Sequence, residues 1–330
     1  MGLRRLTSET AARWGLVVVI LAVPVALLVA WRAGQSTPTL HARLAEAGGW
    51  QPAVLHAVVG EPLELRLISE DVVHGFAIGR SGLPSIDLEP GQPVLASLVF
   101  ERPGTYTYYC TRWCGPDHWR MRGVVEVSGP GEPAPGPEPA TYIGLGIDID
   151  AHHEAEVVPS RRPSAARGAA LGVTLPQGNR TRTDFIARPP VEIWASLRES
   201  QATSGLTDAQ VWDLVAHLWL STTTPATLAE GQRLYADNCA ACHGETGDGR
   251  GVVVTPVAPT HEGEPAGHAS NPADFTDAEH MLGASSALLQ GKIVRGGMGT
   301  GMPSWGLIFT EAQTWALTDY LWTFIFEESK

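Results

Sequence analysis

Apolar and polar positions divide the chain into stretches of different character. After a polar start carrying Arg4, Arg5 and Arg13 comes an uncharged run of 17 residues, Gly15 to Trp31. Such a run is at the short end of what crosses a bilayer, and the arginines ahead of it predict a cytoplasmic N-terminus. A cleaved leader has a shorter apolar core, roughly 7–15 residues, and a small-x-small cleavage site. Ala30-Trp31-Arg32 is a poor one. Residues 1–33 are therefore expected to be a retained single-pass anchor in contact with membrane lipid. Pro24 is tolerated in a membrane helix. Residues 32–50 read as a polar connector ending at Trp50.

From Ala53 to Ser128 the pattern changes to short runs rich in Val, Leu and aromatics: AVLHAVV, PLELRLIS, DVVHGFAI, PVLASLVF, GTYTYYC and MRGVVEVS. Gly60-Glu61-Pro62, Glu89-Pro90-Gly91 and Arg102-Pro103-Gly104 supply turns between several of them. Short strands at this spacing predict an all-β sandwich or Greek-key barrel. SGPGEPAPGPEPA (128–140) is a Pro/Gly linker that cannot form a core. Residues 141–225 begin polar and irregular, then give an amphipathic helix, TDAQVWDLVAHLW (207–219). Residues 226–330 alternate helical patterns with Gly-rich loops. Thr207 with Gln210, Thr227 with Glu230, and Thr310 with Gln313 have capping-box spacing. TDAQVWDLVAHLW also resembles TEAQTWALTDYLW (310–322), with two tryptophans in register, which reads as an internal repeat.

The net charge of −12 argues against nucleic acid as a partner, because phosphate binding needs a basic face. Only four cysteines are present, and each pair lies among other metal-binding residues, so none is left for a structural disulfide.

One cysteine pair lies in Cys110-Thr-Arg-Trp-Cys114-Gly-Pro-Asp-His118-Trp-Arg-Met121, and His74 stands earlier in DVVHGFAIG. Two thiolates, two imidazoles and a thioether are a soft donor set that suits copper. Cysteines four apart on a loop can both bridge two ions. Zinc is the rival, since Cys, Cys, His and His make a tetrahedral site, but Met121 is then idle. A mononuclear blue-copper site needs only one Cys.

His74 with Cys-x3-Cys-x3-His-x2-Met resembles the CuA domain of cytochrome c oxidase subunit II and of nitrous-oxide reductase. The resemblance covers about residues 50–128 and implies a cupredoxin-like Greek-key domain. It also implies that Cys110 and Cys114 bridge two coppers, with His74 and His118 as terminal ligands. Met121 and the backbone carbonyl of Arg112 would complete the set. Oxidase subunits II often carry Glu or Gln where Arg112 stands. Asp71, three residues before His74, is either a support for the loop or a surface carboxylate.

Cys239-Ala-Ala-Cys242-His243 is the c-type haem attachment signature: two thiols for the vinyl groups and His243 for the iron. A thioredoxin-type pair would need neither His243 nor helical surroundings. Downstream, Met302-Pro303 resembles the axial Met-Pro of class I cytochromes c, with Met298 as the alternative. The likeness covers about 226–330. GETGDGRG (244–251) lacks the Lys-Ser/Thr of a phosphate loop. His152, His153, His261 and His268 have no partners at fixed spacing and are expected to be solvated.

Four parts are thus expected: the anchor (1–33), a CuA domain (34–128), a linker with a haem-less cytochrome-like segment or a lone packing helix (129–225), and an all-α cytochrome c domain (226–330). The combination resembles subunit II of a caa-type haem-copper oxidase. That resemblance implies a relay on the outer, periplasmic side of a prokaryotic cytoplasmic membrane. Electrons would pass from a soluble or membrane cytochrome donor through haem c and CuA to a catalytic subunit I that reduces dioxygen. A single anchor departs from the two helices of many subunits II. A CuA subunit of a nitric-oxide reductase and a free-standing redox shuttle are the alternatives. A nitrous-oxide reductase would need a further histidine-rich domain.

Overall fold

A computed structural model describes residues 37–115, 117–134, 136, 138–174, 181–252, 272–297 and 302–328, together with 14, 16–18 and 20–24. The described residues between Trp14 and Pro24 are helical, and Trp14, Leu16, Val18 and Leu21 are exposed. The expected anchor runs beyond them, and no helix among the described residues is long and apolar enough to cross a membrane.

The β region is a sandwich of two sheets. Strands β1 (Thr39–Ala42), β2 (Trp50–Gln51), β3 (Val54–Val58), β4 (Pro62–Ser69), β5 (His74–Ile78), β6 (Ile86–Leu88), β7 (Val94–Val99), β8 (Gly104–Tyr109) and β9 (Arg122–Ser128) form it. One sheet has the order β2-β1-β4-β7 and the other β3-β9-β8-β5-β6. β1 runs parallel to β4 and β3 parallel to β9, whereas the remaining pairs are antiparallel. This crossing of consecutive strands between sheets is the cupredoxin-like Greek key. The two-residue alternation puts Leu65 and Leu67 of β4 and Val125 and Val127 of β9 into one core with Leu40, Trp50, Phe76 and Tyr108. Each such fully buried aliphatic side chain contributes about 1.5–3 kcal/mol.

Residues 32–50 are therefore more than a connector, since they supply β1 and the start of β2. Thr39–Ala42 is too short to stand out as a pattern, and its register comes from β4, pairing Leu40 with Leu67.

The helices are α1 (Thr141–Gly144), α2 (Ala165–Ala170), α3 (Arg182–Ala187), α4 (Pro190–Arg198), α5 (Asp208–Ser221), α6 (Pro225–Asn238), α7 (Ala240–His243), α8 (Ala278–Leu282), α9 (Ser286–Arg295) and α10 (Glu311–Leu321). α5 and α10 carry full capping boxes, Thr207 with Gln210 and Thr310 with Gln313. α6 departs from expectation: its cap is Thr224, not Thr227, because Pro225 has the right φ and no N–H to strand at the first helical position. Glu230 instead pairs with Arg233.

The likeness of the two segments extends beyond the helix starts. In both halves a glycine lets an earlier helix cross onto the repeated one. A Cβ on Gly168 of α2 would lie 2.0 Å from the Asp213 carbonyl oxygen and 2.9 Å from Cβ of His217. A Cβ on Gly231 of α6 would lie 2.1 Å from the Ala316 carbonyl oxygen and 2.7 Å from Cβ of Tyr320. Counted from the capping threonines, Asp213 matches Ala316 and His217 matches Tyr320. The matching tryptophans Trp219 and Trp322 both lie against Phe326. One apolar core runs from Ile149 to Phe326 through both halves. Where the second copy has Ala316, the first buries Asp213, which accepts from Arg161, Arg167 and the Ser164 amide.

Candidate metal and haem centres

β5, the end of β8 and the loop into β9 bring the predicted copper donors together. His74 opens β5 and is fully buried. Cys110 follows β8, and the loop returns through His118 in a single 3-10 turn to Met121, just before β9. Cys110 Sγ is 3.7 Å from His74 Nδ1 and 3.2 Å from the Arg112 carbonyl oxygen. Cys114 Sγ is 3.4 Å from His118 Nδ1 and 3.2 Å from Met121 Sδ. The ligand atoms of His74, Cys110 and Cys114 all lie within 4.8 Å of one another. This soft set of sulfur and imidazole donors fits copper.

The loop is held from outside. Asp71 accepts from His74 Nε2 at 2.7 Å, which turns Nδ1 toward the sulfurs, and from the amides of Leu44 at 2.6 Å and Val72 at 2.7 Å. Asp71, although it lies at the surface, thus supports the loop. Burial works against its charge, yet these donors hold its pKa below the ordinary value. Burial likewise opposes a charged His74, but Cys110 and Asp71 together raise its pKa. Trp50 Nε1 donates to the Met121 carbonyl at 3.0 Å from inside the core. Arg112, whose side chain is half exposed, forms a two-pronged ion pair with Asp87 at 2.9 and 2.7 Å. A Cβ on Gly75 would lie 2.0 Å from Thr111 Oγ1, so glycine is required where β5 meets the loop. With Cys114, His118 and His74 beside it, Cys110 ionises far more readily than a free thiol. The resulting negative charge pushes Cys114 up.

α6 ends at Cys239, and α7 carries Ala240 to His243. His243 Nδ1 donates to the Ala273 carbonyl at 3.1 Å, leaving Nε2 as the free ring nitrogen, and the ring stacks on Phe275 at 4.6 Å. Burial lowers its pKa, so the ring is neutral, the form that binds a metal. Cys239 and Cys242 are free thiols, with burial raising the pKa of both. Met302 packs against the same core. The free thiol pair, pinned neutral histidine and flanking aromatics fit a covalently held haem. Met298, His261 and His268 lie outside the described residues. His152 is exposed beside Glu154. His153 is not solvated as expected: its Nε2 is buried without a partner and its ring lies 4.6 Å from that of His280.

The two regions touch beside both candidate centres. Arg122, next to Met121, donates from Nη1 to the Ser304 carbonyl at 3.0 Å, and its guanidinium lies 5.2 Å from the Trp305 ring centroid. Nη2 is buried with no partner in the protein. Burial lowers this guanidinium to about 10, still protonated at neutral pH. Tyr109, next to Cys110, meets Phe309 edge to face at 6.5 Å. The Arg80 amide donates to the Ile308 carbonyl at 3.1 Å. No local pattern in the sequence marks these residues, because their roles arise only when distant segments meet.

Residues 52–128 match the family model of the periplasmic domain of cytochrome c oxidase subunit II, and residues 228–324 match the model of cytochrome c. Each of the two regions is thus similar to one of these domains. Among curated proteins, it is 32% identical over 84 residues to a cytochrome c oxidase subunit 2 of Thermus thermophilus, covering 26% of this chain and 62% of the relative. A second such subunit, from a particular strain of the same species, is also 32% identical over 84 residues, with 26% of this chain and 49% of the relative covered. The match thus spans less than two thirds of either relative. A solved structure of the periplasmic domain of oxidase subunit II from Bradyrhizobium japonicum is 18% identical, with a TM-score of 0.23, covering 29% of this chain and 86% of that one.

Proposed function

We propose that this chain is the electron-transfer subunit of a membrane haem-copper oxidase and has no oxygen-reducing centre of its own. The observation that carries the reading is one chain that gathers two cysteines, two histidines, a methionine and a carbonyl at one sandwich rim and packs that rim against a CxxCH domain. Cys110 and Cys114 would bridge a copper pair, His74 and His118 would cap it through Nδ1, and Met121 and the Arg112 carbonyl would be weaker donors. Cys239 and Cys242 would hold one haem c, with His243 and Met302 as axial ligands. When bound, each group accepts and releases single electrons.

The protein's own part is to keep these donors still. Asp71 and Trp50 fix the copper loop from two sides, and the Ala273 carbonyl fixes the His243 ring, so little need move as charge changes. The partners on this reading are a cytochrome donor outside the membrane and a many-helix catalytic subunit within it. The Gly15–Trp31 run would be a single anchor, N-terminus inside, placing both domains on the outer side. Residues 141–225 would be a haem-less cytochrome-like unit, a reading supported by the shared glycine crossing and paired tryptophans. Metal and optical analysis tests the assignment. Two coppers and one covalent haem per chain, with a paramagnetic resonance signal of an electron shared over two coppers, are expected. Zinc or a single copper in the sandwich domain would overturn it, as would oxygen turnover by the isolated chain.

A further inference from the structure

We infer that Arg122 is a positioning residue that locks the haem-ligand loop onto the copper loop, so that the two centres form a fixed pair instead of meeting by transient docking. The inference rests on the proposed function. Arg122 adjoins Met121 on one side of the boundary. Its acceptor, the Ser304 carbonyl, lies two residues from Met302 on the other. The backbone of each methionine is therefore linked to the other through the Arg122 side chain and one hydrogen bond of 3.0 Å, with no gap to cross through space. A charged hydrogen bond of this kind is among the stronger ones. The guanidinium also covers the Trp305 face, and its burial excludes water from the contact.

The rest of the boundary is built for close approach. A Cβ on Gly79 would lie 3.0 Å from Ile308 Cα and from the Leu307 carbonyl oxygen, tighter than an ordinary contact, so any side chain there would push this segment back by a few tenths of an ångström. The Arg80 amide then bonds to Ile308, and Tyr109 meets Phe309. On the haem-attachment side, Asp237 of α6 lies close enough to Arg112 for each charge to shift the other's pKa. A haem held by Cys239, Cys242 and His243 and a copper pair held by Cys110, Cys114, His74 and His118 would supply one-electron chemistry, with one electron passing from the first to the second and no bond or proton changing place. Arg122 would hold their two loops in contact.

The test uses the full chain loaded with both cofactors. A photoexcited ruthenium complex injects an electron into the haem, and the haem absorbance then reports its departure to copper. Arg122→Met keeps the stem and removes the donors. It is expected to slow the departure at least about tenfold, the factor that loss of one charged hydrogen bond brings to a contact, with both spectra unchanged. Gly79→Ala, which wedges the same contact open from a position that touches no proposed ligand, should slow it too. Hydrogen exchange at the Arg80 amide should accelerate in both variants, a readout independent of any redox step. Arg122→Lys, which keeps a charged donor, should recover part of the rate. Parent rates and parent Arg80 exchange in both Arg122→Met and Gly79→Ala would overturn the lock. Absence of the copper-pair signal or haem bands in the parent would refute the proposed function, and Arg80 exchange would still report on the contact.

Discussion

Replacing Asp71 by alanine gives the sharpest check on how the copper loop is held. The carboxylate has three partners: His74 Nε2, the Val72 amide and the Leu44 amide. The two amides lie near the surface and can turn to water. His74 cannot, because it has no exposed area. Its ring N–H would be left buried and unpaired, which costs about 1–3 kcal/mol. That penalty falls on the state in which Nδ1 faces the sulfurs, so it should appear in copper affinity. It corresponds to about 5–150-fold, and loss of an outer partner of a metal-binding histidine commonly costs about 10–100-fold. Asp71→Asn keeps one oxygen for His74 but turns an N–H₂ toward the Leu44 amide, so its loss should be the smaller of the two. Copper titration against a competing chelator, followed by thiolate-to-copper absorption, measures both variants, with the haem band as the protein reference. Parent copper affinity and an unchanged spectrum in Asp71→Ala would refute the argument that this carboxylate orients the ring.

Cys114→Ser should abolish the dinuclear copper signal and leave the haem bands, and His243→Ala should do the reverse; optical and paramagnetic resonance spectra of each variant decide. Gly231→Ala should destabilise the helical region by about 1–3 kcal/mol or more in denaturant unfolding, since its Cβ meets backbone that cannot yield. Gly168→Ala should behave alike, whereas Gly144→Ala, with open space around it, should be near neutral. Acid should loosen the fold. Arg295 holds Asp150 below its ordinary 3.8, and Arg233 holds Glu230 below its ordinary 4.5. Folded values below unfolded ones give stability that is present above the ordinary values and lost as pH falls through the folded ones. The urea midpoint should therefore drop on acidification, and less so in Asp150→Asn.

The chemistry was more legible in the sequence than the architecture around it. The Cys-x3-Cys-x3-His-x2-Met loop and CxxCH are local, so spacing alone brings most of their donors near one another. His74 suits the donor set by residue type, but spacing alone could not tie it to the loop, because it reaches the site from another strand. β1 and β6 are too short to carry a readable alternation, and tertiary pairing defines them. The helix starts at Thr207 and Thr310 could be read because capping is a contact within four residues. At α6 two overlapping signals competed, and Pro225 decided for Thr224. The Arg122 contact with Ser304 joins residues 182 positions apart and leaves no trace in local pattern.

The paired glycine crossings also bear on how such a chain can change over time. Helices seated this closely hold by backbone contact and by shared aromatic neighbours such as Phe326, without help from an iron porphyrin. On the proposed reading, a duplicated unit built this way would keep its shape without a prosthetic group. It would serve as a rigid spacer, with a salt-bridged carboxylate at Asp213 where the matching position is Ala316.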